Sequence, residues 1–560
     1  MLSKYRIPKT EGEKKKLNKE RLLLILSGII IGISFPPFPF PITLFLFVGF
    51  IPYLYVLENR KTFAEINRAT YLMTFVLTVV TVYWVGSWQS EADPFLMMGG
   101  AALLFALPAV MLIPSTIYYL STKVFKKKYC FWLFPLFWVT AEYLLTLTDL
   151  KFPWVVMGNG LVKFNTLIQA ADIIGVFGLS LVVLYTNFFG YKAYVAYREG
   201  NSNYKKFAFV IALFFVVFLT YGIVKISTFK ISERTVKVGI IQPDINPWKK
   251  WELGTVQDFI DNYTELSQTA IKQGAKIIIW PETALPVYVM SGKYDAELDS
   301  IYKFLEENNI SLLTGMPHIK FYYDSTNIPD DAKFNKTSNY HYATYNSVLL
   351  LEPDSRDYQF YGKMQLVPLG EHVPFSNQFE FLANVFKWGV GLGGWNVGQD
   401  TTVFTTHINN SGTEEEVNIG GIVCYESIFP LYVTNFVDRG ADFITVVTND
   451  SWYGNSSGPY QHKEFAALRA IENRRTVVRC ANGGVSCIIN ALGETITETE
   501  MFTRNVLVGD VPLQTECTFY TKNPAIITTV VSAMSLWIVG LNILLFIKLK
   551  LKTESDNKDG

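Results

Sequence analysis

Eight apolar runs too long to fold away in water punctuate this chain, at Leu22–Ser34, Ile42–Leu57, Ala69–Trp88, Pro94–Leu120, Cys130–Leu147, Leu167–Val195, Phe207–Ile226 and Ala525–Ile547. A helix needs roughly 20 apolar residues to cross a bilayer, so these runs predict a bundle of about eight transmembrane helices. A proline cluster, Phe35 to Pro41, follows the first run where a signal peptide would carry a small-residue cleavage site. The first two runs therefore read as an uncleaved hairpin.

The connections alternate in charge. Arg60, Lys61 and Arg68 follow the second run, Lys123 and Lys126 to Lys128 the fourth, and Arg198, Lys205 and Lys206 the sixth, while the intervening connections are poor in base. Basic loops stay in the cytoplasm, which predicts a cytoplasmic N-terminus and, after seven crossings, an external segment beyond Lys230. Lys548, Lys550 and Lys552 then return the C-terminus to the cytoplasm. The expected divisions are a basic arm at 1–21, a membrane domain at 22–229, an external domain at 230–515, a last span at 524–549 and a tail at 550–560. Glu142 and Asp172 lie inside apolar runs near their outer ends, where a carboxylate either serves function or caps the helix.

Between Thr235 and Val511 short apolar strands alternate with helix-like segments, for example Lys276–Trp280, Gly420–Cys424 and Phe443–Thr448 among the strands and Val256–Gln273 and His462–Asn473 among the helices. This predicts an α/β domain. The polar stretch Phe321–Ala343 reads as an insertion loop. Phe379–Gln399 mixes Phe386, Trp388 and Trp395 with glycines and reads as a mobile lid that touches lipid.

Net charge is zero, with 49 basic and 49 acidic residues, so no global field favours nucleic acid. Five cysteines at irregular spacing give no disulfide framework, and Cys480 and Cys487 read as strand thiols that could pair only in an oxidising compartment. Five scattered histidines give no metal motif.

Three polar residues stand out against the apolar strands. Cys424 ends one predicted strand, Glu282 ends Lys276–Ile–Ile–Ile–Trp–Pro–Glu282, and Lys363 sits in a loop punctuated by Pro and Gly. Each alone reads as core filler or surface charge. Together they supply a nucleophile, a base and an electrostatic donor, the minimum set for acyl transfer through a thioester.

The ordered motifs Trp280-Pro-Glu282, Lys363 with Leu366-Val-Pro-x-Gly-Glu371, and Cys424-Tyr-Glu426 resemble the nitrilase superfamily. Thr448-Asn-Asp-Ser-Trp-Tyr-Gly454, Gly458-Pro-Tyr-Gln-His462 and the flanking membrane runs narrow the resemblance to the bacterial apolipoprotein N-acyltransferase family. The resemblance implies an αββα sandwich outside the inner membrane, on the periplasmic side. It implies Glu282 as proton acceptor, Lys363 as oxyanion stabiliser and Cys424 as nucleophile, with Glu371, Tyr425 and Glu426 in support and Trp154 near the lipid entrance. It also implies a phospholipid acyl donor, namely phosphatidylethanolamine, a diacylglyceryl-lipoprotein acceptor, contact with membrane lipid, no cofactor, no metal, no nucleic acid and action as a monomer. Leu369, His372 and Ala481-Asn-Gly-Gly484 depart from the family pattern without removing a catalytic group. Two rival readings stay open, a membrane-tethered amidase or nitrile hydrolase and an external binding domain on a transporter or receptor.

Overall fold

A computed structural model describes residues 10–252, 254–323, 328–368, 370–372, 374, 394–410 and 413–556. Phe386 and Trp388 lie outside the described residues. Eight helical segments follow the eight apolar runs. Six of them, Phe40–Glu58, Phe63–Gly86, Pro94–Ser121, Ala171–Arg198, Tyr204–Thr228 and Ile526–Leu551, are long and apolar enough to cross a membrane. The other two, Glu11–Ile33 and Lys127–Leu144, carry more charge per residue. The basic arm is thus helical from Glu11 onward, with the Thr10 side chain accepting from Glu13 N at its start. Thr62 and Glu65 form a reciprocal capping box that starts Phe63–Val82.

The two carboxylates inside the apolar runs act as braces. Glu142 accepts from Met157 N at 2.9 Å and Trp138 Nε1 at 3.1 Å, fixing the turns that carry Trp154. Asp172 accepts from Arg474 Nη2 at 2.8 Å and Tyr221 Oη at 2.7 Å, tying the membrane helices to the α/β domain.

The α/β domain has two sheets. The first contains β1 Thr235–Gln242, β2 Ile277–Trp280, β3 Ser311–Tyr322, β4 Lys333–Asn335, β5 Tyr340–Leu351, β6 Tyr358–Gly362 and β13 Asn505–Pro512. The second contains β7 Val403–Asn410, β8 Thr413–Val423, β9 Phe443–Thr448, β10 Val477–Ala481, β11 Cys487–Ile489 and β12 Thr495–Glu498. The first sheet runs β13-β1-β2-β3-β5-β4 with β6 beside β5, and the second runs β12-β11-β10-β9-β8-β7. Parallel strands buried on both faces read as unbroken apolar runs. In β2, Ile277 and Ile279 face the core between the sheets, whereas Ile278 and Trp280 face the outer helices Val256–Lys272 and Asp295–Asn308. Pro430–Asp438 and Ser457–Asn473 cover the far face of the second sheet, completing an αββα sandwich.

Phe321–Ala343 differs from its expected loop. β3 and β5 pair as far as Tyr322↔His341, and β4 adds a short edge at Lys333↔Tyr342. Phe321 and Tyr340 pack edge-on at 5.3 Å, so cross-strand aromatic pairs extend the ladder through a stretch whose polar composition hides it. Cys480 and Cys487 are free thiols. Cys487 opposes Arg479 in the register of β10 and β11, which turns Cys480 to the other face of the sheet.

Ser457–Asn473 sinks its first turns among the membrane helices. Gln461 accepts from Trp84 Nε1 at 3.1 Å and Trp154 Nε1 at 2.7 Å, and donates to the carbonyls of Pro36 and Thr81 at 2.8 and 2.9 Å. Lower on the same helix, Glu472 accepts from Val176 N at 2.9 Å, next to the break at Gly175 in Ala171–Arg198. A side chain at Gly175 would collide with the Tyr520 ring, with its Cβ only 2.2 Å away. These contacts set the site's position relative to the membrane domain.

Candidate active site

Cys424, Glu282 and Lys363 converge at the ends of strands. Glu282 lies two residues past β2, Cys424 follows β8 directly, and Lys363 follows β6 directly. Lys363 opens the loop that the sequence suggested; the strand before it, Tyr-Gln-Phe-Tyr-Gly, is short and ends in glycine, which hides it in the sequence.

At Cys424 the chain turns from β8 into the single turn Cys424–Ile428 with φ of +50°. A non-glycine residue held there costs about 1–3 kcal/mol and persists only where its surroundings impose it. Glu426 supplies part of that constraint. It accepts from Val423 N at 2.9 Å, Met364 N at 2.7 Å, Gln365 N at 3.0 Å and Tyr361 Oη at 2.6 Å. One carboxylate thereby staples the segment after Lys363 to the turn of Cys424.

The charged groups form a buried network. Lys363 Nζ lies 2.8 Å from Glu371 and 3.5 Å from Glu282. Asn346 Nδ2 donates to both carboxylates at 2.8 Å, and Glu371 also accepts from Val367 N at 2.9 Å. Burial, above all, raises the pKa of Glu282, Glu371 pushes the same way, and Lys363 pulls back. For Lys363 burial opposes the charge, but Glu371 and Glu282 outweigh it and raise the pKa. Burial and then Glu282 push the Cys424 thiol up, so the resting nucleophile is protonated. Glu282 and the Cys424 thiol border the same cavity. A base with an elevated pKa, facing a protonated thiol beside a fixed cation, can take the proton as the sulfur attacks.

Two cavities meet at Cys424. One, of about 150 Å³, is bordered by Asp93, Lys250, Glu282, Lys363, Glu371 and Trp395. The other, of about 80 Å³, is mainly apolar and runs between Trp84, Leu96 and Leu103 of the membrane helices and Phe152, Trp154 and Tyr425. Trp154 is a fixed part of this wall, 4% exposed, bonded to Gln461 and 4.8 Å from the Trp84 ring. Tyr425 donates to Lys151 O at 2.7 Å. Trp395 stands at the polar cavity with its ring 6.4 Å from Tyr288.

Sequence reasoning missed Asn346, Lys250, Asp450 and His462 as parts of the site. Asn346 stands inside β5, where nothing sets it apart as a polar residue. Lys250 borders the cavity and donates to Thr283 O, and burial lowers its pKa to about 7. Asp450 and His462 occur in the motifs that carried the resemblance, which implied no role for them. Cys424 Sγ and ligand atoms of Asp450 and His462 lie within 4.8 Å of one another. One carboxylate oxygen of Asp450 pairs with the Arg479 guanidinium.

Residues 237–517 match the carbon-nitrogen hydrolase family, and residues 27–189 match the apolipoprotein N-acyltransferase N-terminal domain. An apolipoprotein N-acyltransferase of Chlorobaculum tepidum is 32% identical over 519 residues, 91% of this chain and 94% of that one. One from Rickettsia typhi is 29% identical over 88% of this chain and 92% of its own. A solved amidase from Nesterenkonia sp. aligns with 51% of this chain and 93% of its own, at 16% identity and a TM-score of 0.33.

Proposed function

The chain belongs to the apolipoprotein N-acyltransferase family, and from that premise we propose that it moves an acyl chain from phospholipid to the N-terminal amine of a lipoprotein through a thioester on Cys424. The observation that carries this is the meeting of a polar and an apolar cavity at the sulfur, the second walled in part by membrane helices. A water-soluble substrate needs no such wall.

In the first half-reaction Glu282 takes the thiol proton and the sulfur attacks the sn-1 ester carbonyl of the phospholipid. Negative charge gathers on the carbonyl oxygen, beside the Lys363 ammonium. The C–O bond breaks, Glu282 returns the proton to the departing glycerol oxygen, and lysophospholipid leaves. In the second, the neutral α-amine of the diacylglyceryl-cysteine attacks the thioester and its proton passes to Glu282; the C–S bond breaks, the amide is released, and Glu282 returns the proton to the departing thiolate to regenerate Cys424. No cofactor is required, because the donor ester already carries an activated acyl group. Glu371 and Asn346 keep Glu282 and Lys363 in register, and Glu426 holds the turn of the nucleophile.

The chain is a multi-pass membrane protein. Our reading adds phosphatidylethanolamine as donor, a monomer in the bacterial inner membrane, cytoplasmic termini, and residues 230–515 on the periplasmic side as the catalytic domain. In that reading the segment 379–399, with Phe386, Trp388 and Trp395, is the lid through which the two lipids exchange. The test uses phospholipid radiolabelled in the acyl chain. Label should appear on the protein as a thioester and pass to a diacylglyceryl lipopeptide. Release only as free fatty acid would make the chain a hydrolase, and absence of labelling would leave it a binding protein.

A further inference from the structure

Behind the nucleophile a chain of buried polar groups runs through the α/β domain and ends on the peptide carbonyl of Cys424. His462 Nε2 lies 3.1 Å from that carbonyl oxygen and 2.7 Å from Ser427 Oγ, and Ser427 Oγ is itself 2.8 Å from the same oxygen. On the other side of the ring, His462 Nδ1 lies 2.9 Å from Asp450 Oδ1. The second oxygen of Asp450 pairs with Arg479, whose Nη2 is also 3.2 Å from His462 Nδ1. Ser427, His462, Asp450 and Arg479 are each at most 4% exposed.

We propose that His462, anchored by Asp450 and Arg479, is a positioning residue that holds the backbone of Cys424 in its left-handed conformation, so that the sulfur stays aimed at the ester and at Glu282. The proposal rests on Cys424 being the nucleophile.

Four features support it. The turn residue is strained at φ +50°, and Glu426 fixes the Val423 N–H one peptide earlier and the segment beside it; the Cys424 carbonyl itself accepts from Ser427 Oγ and lies within hydrogen-bond reach of His462 Nε2. An imidazole bound on both nitrogens cannot rotate without breaking buried hydrogen bonds, which cost about 1–3 kcal/mol each to leave unmade. Space has been kept for its anchor, since a Cβ at Gly484 would stand 2.7 Å from the Asp450 carboxylate. The ring is closed in from the membrane side by Trp154 at 5.7 Å. His462 does not replace Glu282 as the base. Its Nε2 is committed to the Cys424 carbonyl and Ser427 and its Nδ1 faces Asp450 and Arg479, so no nitrogen is free to take the thiol proton.

The test compares His462→Phe, His462→Gln and Ser427→Ala in the full-length, detergent-solubilised protein. Phe fills the space without hydrogen bonds, whereas Gln can still reach the turn with an amide. Thioester formation from radiolabelled phospholipid should fall about 10²-fold in His462→Phe with KM within about twofold of wild type, the loss expected when a reacting atom is misplaced by about an ångström. His462→Gln should recover at least about a tenth of wild-type rate. Alkylation of Cys424 by iodoacetamide, counted per folded molecule, should slow in parallel. If His462→Phe does not fold, Ser427→Ala carries the test, with about a tenfold loss at unchanged KM. Wild-type turnover in the folded variant, a loss seen only in KM, or failure of Gln to rescue would overturn the proposal. Cys424→Ala serves as the reference. If it still formed acyl-enzyme, the reading of Cys424 as nucleophile would be wrong; if it is inactive while His462→Phe is normal, only the role of His462 falls.

Discussion

Both carboxylate oxygens of Glu371 lie 2.8 Å from Lys363 Nζ, so the cation that would meet the oxyanion is bound bidentately by a carboxylate other than the base. Two consequences follow for Glu282. The Lys363 ammonium is shared and neutralises the base less than a dedicated partner would. Glu371 also adds a negative charge that raises the pKa of Glu282, on top of burial.

The sign of a pH shift follows. Glu282 must be ionised to take the thiol proton, so activity should rise with pH along a limb that lies above the ordinary carboxylate value of 4.5. Glu371→Gln removes the charge that raises Glu282 and leaves Lys363 freer to lower it, so the limb should move to lower pH. Turnover should fall by about 10-fold or more, because Lys363 loses its main anchor. A pH–rate profile of thioester formation checks this; an unmoved or upward-moved limb would contradict the assignment of Glu282.

Cys424→Ala should abolish transfer while the protein still inserts and folds, since removing a covalent nucleophile costs several orders of magnitude. Cys480→Ala and Cys487→Ala should keep activity. Both thiols are fully buried, Cys480 lies against the carbonyls of Ile241 and Ile279, and among the described residues neither borders the two cavities at Cys424. A tenth of wild-type turnover surviving in Cys424→Ala would overturn the nucleophile.

The apolar runs and the strand-end residues were legible because membrane crossing and double-sided burial both write continuous hydrophobic stretches. β2 shows this: Ile277 to Trp280 is wholly buried, and Glu282 stands out at its end. Less legible were elements whose order depends on a partner across the fold. β7, Val403–Asn410, is mostly polar and takes its register from β8. β4 is three residues long and ordered by β5. Asn346 in β5 matters only because β2 brings Glu282 and the segment after β6 brings Lys363 to it. His462 belongs to the same class. Its contacts at Ser427 and Asp450 are 35 and 12 residues away in sequence, and no local pattern reports them.

Orientation in the membrane is open to direct measurement. Reporter fusions after Lys128 and after Lys206 should read as cytoplasmic, and a fusion after Lys230 as external, following the basic connections. The helices Glu11–Ile33 and Lys127–Leu144 make the experiment decisive, because they are the two segments whose charge leaves the crossing count open. An external reading at Lys206 would remove one crossing and put the α/β domain on the cytoplasmic face.

The Gln461 amide makes four hydrogen bonds to three parts of the membrane domain: the indoles of Trp84 and Trp154 and the carbonyls of Pro36 and Thr81. Gln461→Leu is close in size but strands two indole N–H groups and two carbonyls in a buried setting. Each stranded group costs about 1–3 kcal/mol, less whatever a rearranged side chain or water recovers. The loss should fall on the joint between the domains, because the strands of the sandwich do not involve Gln461. We therefore expect a lower melting temperature and faster proteolysis between the membrane helices and the α/β domain. Transfer from phospholipid should drop more than alkylation of Cys424 by iodoacetamide, since the apolar cavity is walled by the two released tryptophans whereas the sulfur is held by the sandwich. Equal losses in both would place the effect in the α/β domain itself and dissociate Gln461 from the lipid-side wall.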